Sequence, residues 1–351
     1  MTFALQSQTL TPVTALEFRR QCAGEPAQGE VPSGASMLGA RLLAPHASTG
    51  ADATFDFIRA ELLAPREPTL DAWFTSGKAT SYQQGNVRYA TDGSWLHGHA
   101  EIDDLRVEGG LRAATQLAYE EMFAVLASAG CPHVLRLWNY FAGINDESDG
   151  LERYRHFNVG RQQAFLDAGR SAFDGAPAAC ALGTQGGPLH LYFLAGRSMP
   201  IAIENPRQIS AYRYPDRYGP RSPTFSRAAL AEAGGGRQAL FISGTASIVD
   251  HTTVHVGDVR RQTEECLANI DAVLQAVALQ ARAPFDAQQL SYTINVRHRD
   301  DLAVVRAAFE ARVGAGTPAA SRAVYLWADI CRADLLVEVE AHGFAPPEGG
   351  A

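Results

Sequence analysis

Near the end of the chain, Val337-Glu-Val-Glu-Ala341 sets two carboxyl groups into an otherwise apolar strand that follows Leu335 and Leu336. A strand turns successive side chains to opposite faces, so Glu338 and Glu340 share a face and alternation does not choose between them. Burial disfavours a carboxylate, so an acid held there keeps its proton toward neutral pH and can serve as a general acid. The plainer alternative is a structural carboxylate in an ion pair. Cys331 stands seven residues before Glu338; taken alone it reads as a small buried hydrophobe, the usual fate of a free cysteine. Between Glu204 and Arg227, the chain intersperses Arg207, Arg213, Arg217 and Arg221 with Tyr212, Tyr214 and Tyr218. Guanidinium forks suit planar, bidentate recognition of carboxylates, whereas a flexible linker favours small polar residues. This segment is expected to be structured and to lie over a binding site; the alternative is a solvated connector whose tyrosines pack on the domain surfaces.

Other constellations carry less. His251-Thr-Thr-Val-His255 has a spacing that would align two imidazoles on a helix, but Thr252, Thr253 and Val254 are β-branched. No glutamate follows His251 as in a zinc-protease helix, so no metal site is expected. His97-Gly-His99 reads as a polar turn. Gly234-Gly-Gly236 precedes a strand instead of joining strand to helix, so it is no phosphate loop. Ser243 and Ser247 lack the strand–turn–helix elbow of a serine hydrolase.

The elements that must carry these groups form a series that runs twice. In the first half, a strand and turn from Val87 to His97 lead to a helix from Leu111 to Ala127, then to an alternating strand from His133 to Phe141. A second helix from about Leu151 to Asp167 precedes Gly175-Ala-Pro-Ala-Ala179 and strands near 189–194 and 201–203. The second half repeats this with a strand over 239–247, helices over 259–274 and 300–312 flanking a strand over 290–296, then Gly316-Thr-Pro-Ala-Ala320 and strands over 323–328 and 335–339. The pattern predicts an α+β protein of two tandem domains, each a mixed β-sheet with helices packed on one face. Residues 1–50 read as an extended lead-in, 51–205 as the first domain, 206–227 as the connecting segment and 228–351 as the second domain.

Composition narrows the function. The 351 residues are 46% hydrophobic and 19% charged, ordinary for a soluble globular protein and long enough for two cores. No apolar run approaches the roughly 20 residues needed to span a bilayer, and the N-terminus shows no secretory signal. Five widely spaced cysteines without a CxxC pair suggest a reducing cytoplasm. Net charge is −8 and Lys78 is the only lysine, so no broad basic stripe is available for nucleic acid.

Phe241-Ile-Ser-Gly-Thr-Ala-Ser247, Arg261-Gln-Thr263 opening a helix through Asn269 and Ile270, Ser321-Arg-Ala-Val324 and Val337-Glu-Val-Glu-Ala341 occur in an order that resembles the Rid superfamily. These are small α+β proteins whose subunits meet to form clefts for small carboxylates. The resemblance implies two tandem Rid-like domains, and places Arg322, at the position where Rid proteins hold a carboxylate, in one pocket with Glu338. Over roughly residues 50 to 345 the chain also resembles the chorismatases. That likeness rests on Leu137-Trp-Asn-Tyr-Phe-Ala-Gly-Ile-Asn145, Tyr154-Arg-His-Phe-Asn-Val-Gly-Arg-Gln-Gln-Ala-Phe165, the Tyr/Arg segment, Ser243-Gly-Thr-Ala-Ser-Ile248 and the spacing of Cys331 to Glu338.

The chorismatase resemblance implies cleavage of the enolpyruvyl ether of chorismate, releasing pyruvate, with no cofactor and no metal. An enol ether resists water until its methylene carbon is protonated, and the resemblance favours Glu338 over Glu340 as that acid. Members with cysteine at the position of Cys331 use the substrate's own ring hydroxyl in place of water and form 3-hydroxybenzoate, with or without some 4-hydroxybenzoate. Gly244 fits this cysteine-containing group, because a missing side chain leaves room for a different substrate pose. Arg322, Arg161, Tyr212, Arg213 and Arg221 are the candidates for the two carboxylates of chorismate. A Rid-like imine or enamine hydrolase, or a non-catalytic protein that binds aromatic carboxylates, would use the same scaffold but leave the Tyr/Arg segment or Cys331 unexplained. Rid proteins with one unit are trimers; with two units in one chain, a monomer is expected, having neither nucleic acid nor membrane as partner.

Overall fold

The computed structural model describes residues 13–22, 34–44, 56–57 and 60–347. Its two repeats share one strand order. The six-stranded sheet of the first runs Ala178–Thr184, His133–Ala142, Leu189–Gly196, Trp95–Ile102, Val87–Thr91, Thr80–Gln84. The seven-stranded sheet of the second runs Ile201–Ile203, Ala228–Glu232, Gln238–Ala246, Val337–Phe344, Ser291–Val296, Val324–Trp327, Glu61–Ala64. Each contains one parallel pair within the repeat, His133–Ala142 with Ala178–Thr184 and Ser291–Val296 with Val324–Trp327. A parallel pair needs a crossover, and helices α2 (Arg153–Asp167) and α4 (Leu302–Val313) supply it. With α1 (Gly110–Ser128) and α3 (Val259–Ala278), each sheet carries two helices on one face. This is the α+β architecture of two mixed sheets that the periodicity predicts.

Helix α3 shows how local sequence builds the scaffold. The Asp258 carboxylate accepts the Arg261 amide hydrogen bond and caps the first turn. Cys266, Ile270, Val273 and Val277 then bury one face, and because Val277 still reaches the core the helix runs a turn beyond the expected 274. The corresponding Gly-x-Pro-Ala-Ala sequences diverge. The second forms a one-turn helix, Pro318–Ser321, capped by the Thr317 hydroxyl, while the first leads straight into the strand Ala178–Thr184.

Three cores result. One lies between each sheet and its helices, around Phe123, Phe157 and Phe165 in the first repeat and Ile270, Tyr292 and Phe309 in the second. The third is shared, joining the helix-free faces of both sheets through Trp138, Tyr192, Phe241 and Leu326. The lead-in segment contributes to it as well. Leu16–Cys22 and Ser36–Leu43 flank Thr69–Thr75 in a four-stranded sheet, and Leu16, Leu38 and Trp73 are buried there. The rest of the expected lead-in, 1–12, 23–33 and 45–50, lies outside the described residues. Two strands from before residue 206, Glu61–Ala64 and Ile201–Ile203, belong to the second sheet. His97 and His99, read as a polar turn, instead lie buried in the strand Trp95–Ile102. The expected turn ends sooner, because Asp92 accepts amide hydrogen bonds from Ser94 and Trp95 and closes it there. Among the described residues, no helix is long and apolar enough to cross a membrane.

Candidate active site

Where the edge strand Ala178–Thr184 of the first repeat meets Gln238–Ala246 of the second, a single hydroxyl joins them. Ser243 Oγ accepts the Ala179 amide hydrogen and donates to the Ser226 carbonyl. Beside this seam lies a cavity of about 320 Å3 lined from both repeats and from the connecting segment. Glu338 and Gly244 line it from the second sheet, Cys331 and Arg332 from the loop before Val337, and Cys180 from the edge strand. Tyr154, Arg155 and Arg161 come from α2, and Tyr214, Arg217, Tyr218, Phe225 and Arg227 from the segment between the sheets.

The fold separates the two acids that alternation leaves equivalent. Glu340 forms an ion pair with the buried Arg136 of the strand His133–Ala142. Glu338 opens on the cavity, only 4% exposed, with Oε1 lacking any hydrogen-bond partner among the described residues. Burial, reinforced by the Glu340 carboxylate and opposed by Arg136 and Arg227, pushes its pKa up to about 8. It is therefore largely protonated at neutral pH.

Gly244 is where that carboxyl fits. The ladder between Gln238–Ala246 and Val337–Phe344 is irregular between Ile242 and Thr245, and a Cβ on Gly244 would stand 2.0 Å from Glu338 Oε1. Bulges of this kind re-aim side chains beside functional sites. The glycine makes room for the acid itself.

Cys331 sits on a loop fixed from both sides. Arg297 donates to the carbonyls of Ile330, Arg332 and Leu335 and to the Asp329 carboxylate. From α3, Gln262 donates to the Asp334 carbonyl and accepts the Leu336 amide hydrogen. Burial first, then the nearby Glu338, push the thiol up to about 12, so it is an S–H group at neutral pH and not a thiolate.

The cationic wall differs in part from the expectation. Arg161 lies in it, 1% exposed, its Nη2 donating to Asn158 and its Nε without a partner. Arg322 does not. It is exposed at the end of the short helix, near Tyr292, where its carbonyl accepts from Arg20. The strand that follows it runs parallel to Ser291–Val296, so Arg322 is set back toward the end of the sheet opposite Glu338. Tyr212, Arg213 and Arg221 also fall outside the cavity lining. Tyr212 meets Phe173 edge-on, Arg213 lies over the Tyr212 ring, and Arg213 and Arg221 are exposed. Two 3-10 turns, Ala211–Arg213 and Asp216–Tyr218, set which side chains turn inward.

The inward residues are ones the sequence reading had not singled out as ligands. Arg227, 5% exposed, donates to the Tyr214 hydroxyl and the Ile209 carbonyl while its Nε stays unpartnered. Arg332 lies 4.0 Å over the Tyr218 ring and donates to the His251 carbonyl. No carboxylate among the described residues lies within ion-pair distance of Arg161, Arg227 or Arg332. Arg161 and Arg227 are buried and Arg332 is half-buried. A buried guanidinium outside an ion pair is costly unless an anion arrives, so the cavity suits an anionic guest.

One cluster of possible metal ligands occurs among the described residues, His99, Glu101 and His190. It lies in the first sheet, outside the cavity lining, and the Arg88 guanidinium stands 3.4 Å from His99 Nδ1. His251 sits at a tight hairpin, with Thr252–Thr253 paired to Ile248–Val249, so it and His255 share no helix face.

Residues 71–195 match the family described as "Chorismatase FkbO/Hyg5-like, N-terminal". The chain is 38% identical to a 3-hydroxybenzoate synthase of Streptomyces hygroscopicus, over 80% of this chain and 83% of that protein. It is 40% identical to a chorismatase of Streptomyces rapamycinicus, over 78% of this chain and 82% of the relative. A crystal structure of a chorismatase superposes with a TM-score of 0.81 at 32% identity, covering 95% of this chain and 99% of that one. With the same fold along nearly its whole length and this identity over most of it, the chain belongs to the chorismatase family.

Proposed function

We propose that the protein cleaves the enolpyruvyl ether of chorismate, releasing pyruvate and forming 3-hydroxybenzoate with some 4-hydroxybenzoate. The observation that carries this reading is Glu338, a buried carboxyl group whose pKa burial raises to about 8, opening on a cavity whose wall includes the buried Arg161 and Arg227. Glu338 gives its proton to the methylene carbon, and the enol ether becomes an oxocarbenium ion. Arg161, Arg227 and Arg332 hold the two carboxylates of the substrate, and the phenol rings of Tyr214 and Tyr218 wall the site beside them. The neighbouring ring hydroxyl attacks the carbon that bears the ether and gives its proton to Glu338. That carbon's bond to the ether oxygen breaks, so pyruvate leaves with this oxygen as its carbonyl and an epoxide spans the two ring carbons. The epoxide opens at the carbon that first bore the hydroxyl. The proton lost from the former ether carbon, relayed by the Cys331 thiol to the epoxide oxygen, aromatises the ring to 3-hydroxybenzoate. The atoms of chorismate divide between the two products without added water.

The free cysteines suit a reducing cytoplasm, and we take the working form to be a monomer, because both walls of the cavity come from one chain. The test is incubation with chorismate without added metal, measuring pyruvate and identifying the aromatic product. Equimolar pyruvate and 3-hydroxybenzoate are expected, with no label in the benzoate when the water carries heavy oxygen. Failure to release pyruvate would remove the reading.

A further inference from the structure

Two carboxyl groups share the inner face of the strand Val337–Phe344, and only one faces the cavity. Resting on the function proposed above, we propose that the buried Arg136–Glu340 ion pair is a positioning device that keeps Glu338 in its acid form. Glu340 holds the Arg136 guanidinium on itself, and thereby keeps that cation from ionising Glu338 two residues away on the same face.

The geometry carries this in three steps. Arg136 Nη2 bonds Glu340 Oε2, and both side chains are at most 5% exposed. Residues two apart along a strand are separated by roughly 7 Å, so a released Arg136 would lie within reach of the Glu338 carboxyl. Glu338 Oε1 meanwhile has no donor among the described residues, as expected of a group that is not called on to be a carboxylate. The cation comes from the strand His133–Ala142 of the first repeat and the acid from the second, so the pair also spans the two repeats across the shared core.

Other groups facing Glu338 are accounted for. Cys180 of the edge strand, Cys331 of the loop, Cys266 of α3 and Tyr154 of α2 are all held above their ordinary pKa by burial and bring no charge at neutral pH. Arg227 opposes protonation from its place before the strand Ala228–Glu232, and Arg161 lines the same cavity. Arg41 approaches Glu340 from Ser36–Leu43, but its fork is spent on Asp71 and the Tyr140 hydroxyl. Glu152 also lines the cavity but pairs with Arg155, and Arg217 and Arg332 line it on the side of the connecting segment and the Cys331 loop. Among the described residues, Glu340 is thus the carboxylate that acts on Glu338 against these cations.

The experiment titrates Glu338 directly, through the infrared band of its protonated carboxyl, assigned by its loss in E338Q, alongside the pH profile of pyruvate release. E340Q removes an anion and unmasks Arg136, and is expected to lower the Glu338 titration by roughly one to three pH units. The alkaline limb of kcat/KM should fall with it while KM changes little. The double variant R136Q/E340Q removes both charges, so its titration should lie closer to that of the wild type. If E340Q alone does not fold, R136Q, which leaves the Glu340 anion uncovered, should raise the titration instead, and no shift there overturns the proposal. An E340Q titration that stays where it is, or a double variant that moves as far as the single one, overturns the proposal. If the wild type releases no pyruvate, the proposed function fails, while the infrared titration still decides this point.

Discussion

The two repeats have the same strand order and the same parallel pair, yet their inner faces carry different chemistry. On the first sheet that face is filled with rings, where His99 stacks 4.1 Å from Tyr192 and 5.3 Å from His190. On the second, the corresponding last-made strand presents Glu338, Glu340 and His342. The first repeat instead gives the cavity a wall, through Arg161, Tyr154 and Cys180, while the second gives it an acid. One repeat carries the acid, and the other helps to hold the guest. Substitutions at Glu338 and Gly244 of the second repeat should therefore act mainly on kcat, and those at Arg161 of the first, as at Arg332 beside Cys331, mainly on KM.

The largest effect expected is at Glu338. E338Q should lose about 10²- to 10⁴-fold in pyruvate release, the usual worth of a general acid, with KM within about tenfold of wild type. A variant that turns over at the normal rate would end the assignment. G244A comes next, because its methyl would displace the carboxyl end of Glu338 and not the backbone. A fall in kcat of about a hundredfold is expected, with thermal unfolding close to that of wild type, and an unaltered kcat would mean that the acid tolerates other positions. In the first repeat, R161M should raise KM by about 10- to 100-fold, the worth of a lost charge-assisted hydrogen bond, and a loss confined to kcat would break the comparison. Smallest in total turnover is C331A. Pyruvate release should stay within about tenfold of wild type, while the proportion of 3-hydroxybenzoate falls. An unchanged product ratio would remove the thiol from the ring chemistry.

The same acid leaves a mark on stability. Its pKa is raised in the folded state to about 8 from the ordinary 4.5, so between these values the folded chain holds a proton that the unfolded chain releases. Folding stability therefore falls as pH rises through that window and levels off above it. E338Q carries no such burden. Relative to wild type, it should gain a few kcal/mol between pH 5 and pH 9, measured by denaturant unfolding at both values. A constant difference would mean that Glu338 ionises normally.

How much of this was legible in the sequence follows from what each signal encodes. The helices and central strands show their periods plainly, because each buries one face against a sheet or helix. Glu338, Cys331 and Gly244 were named through the resemblance to the chorismatases, since alternation left Glu338 and Glu340 equivalent, and the cavity gathers all three. Which arginines line it was not. Inward and outward positions in the connecting segment are set by two 3-10 turns and by hydrogen bonds such as Arg227 to Tyr214, and neither leaves a repeating pattern. Arg322 was misplaced because its role was carried over from a family resemblance, whereas the parallel pairing of Val324–Trp327 with Ser291–Val296 sets it at the end of the sheet away from Glu338. The lead-in strands escaped because short, Gly- and Pro-flanked segments have too few residues to show a period. One signal was available and unused: Arg297, immediately after the strand Ser291–Val296, is a half-buried cation whose bonds shape the Cys331 loop.

The strand Glu61–Ala64 closes the far edge of the second sheet by pairing with Val324–Trp327. Its partner lies far along the sequence, so that segment has no neighbour in its own sheet until the second repeat has formed, and joining the two means closing a long loop, a slow step for any chain. For the same reason, expressing the second repeat alone from residue 206 would produce a sheet with an open, unpaired border, prone to capture a strand from another molecule.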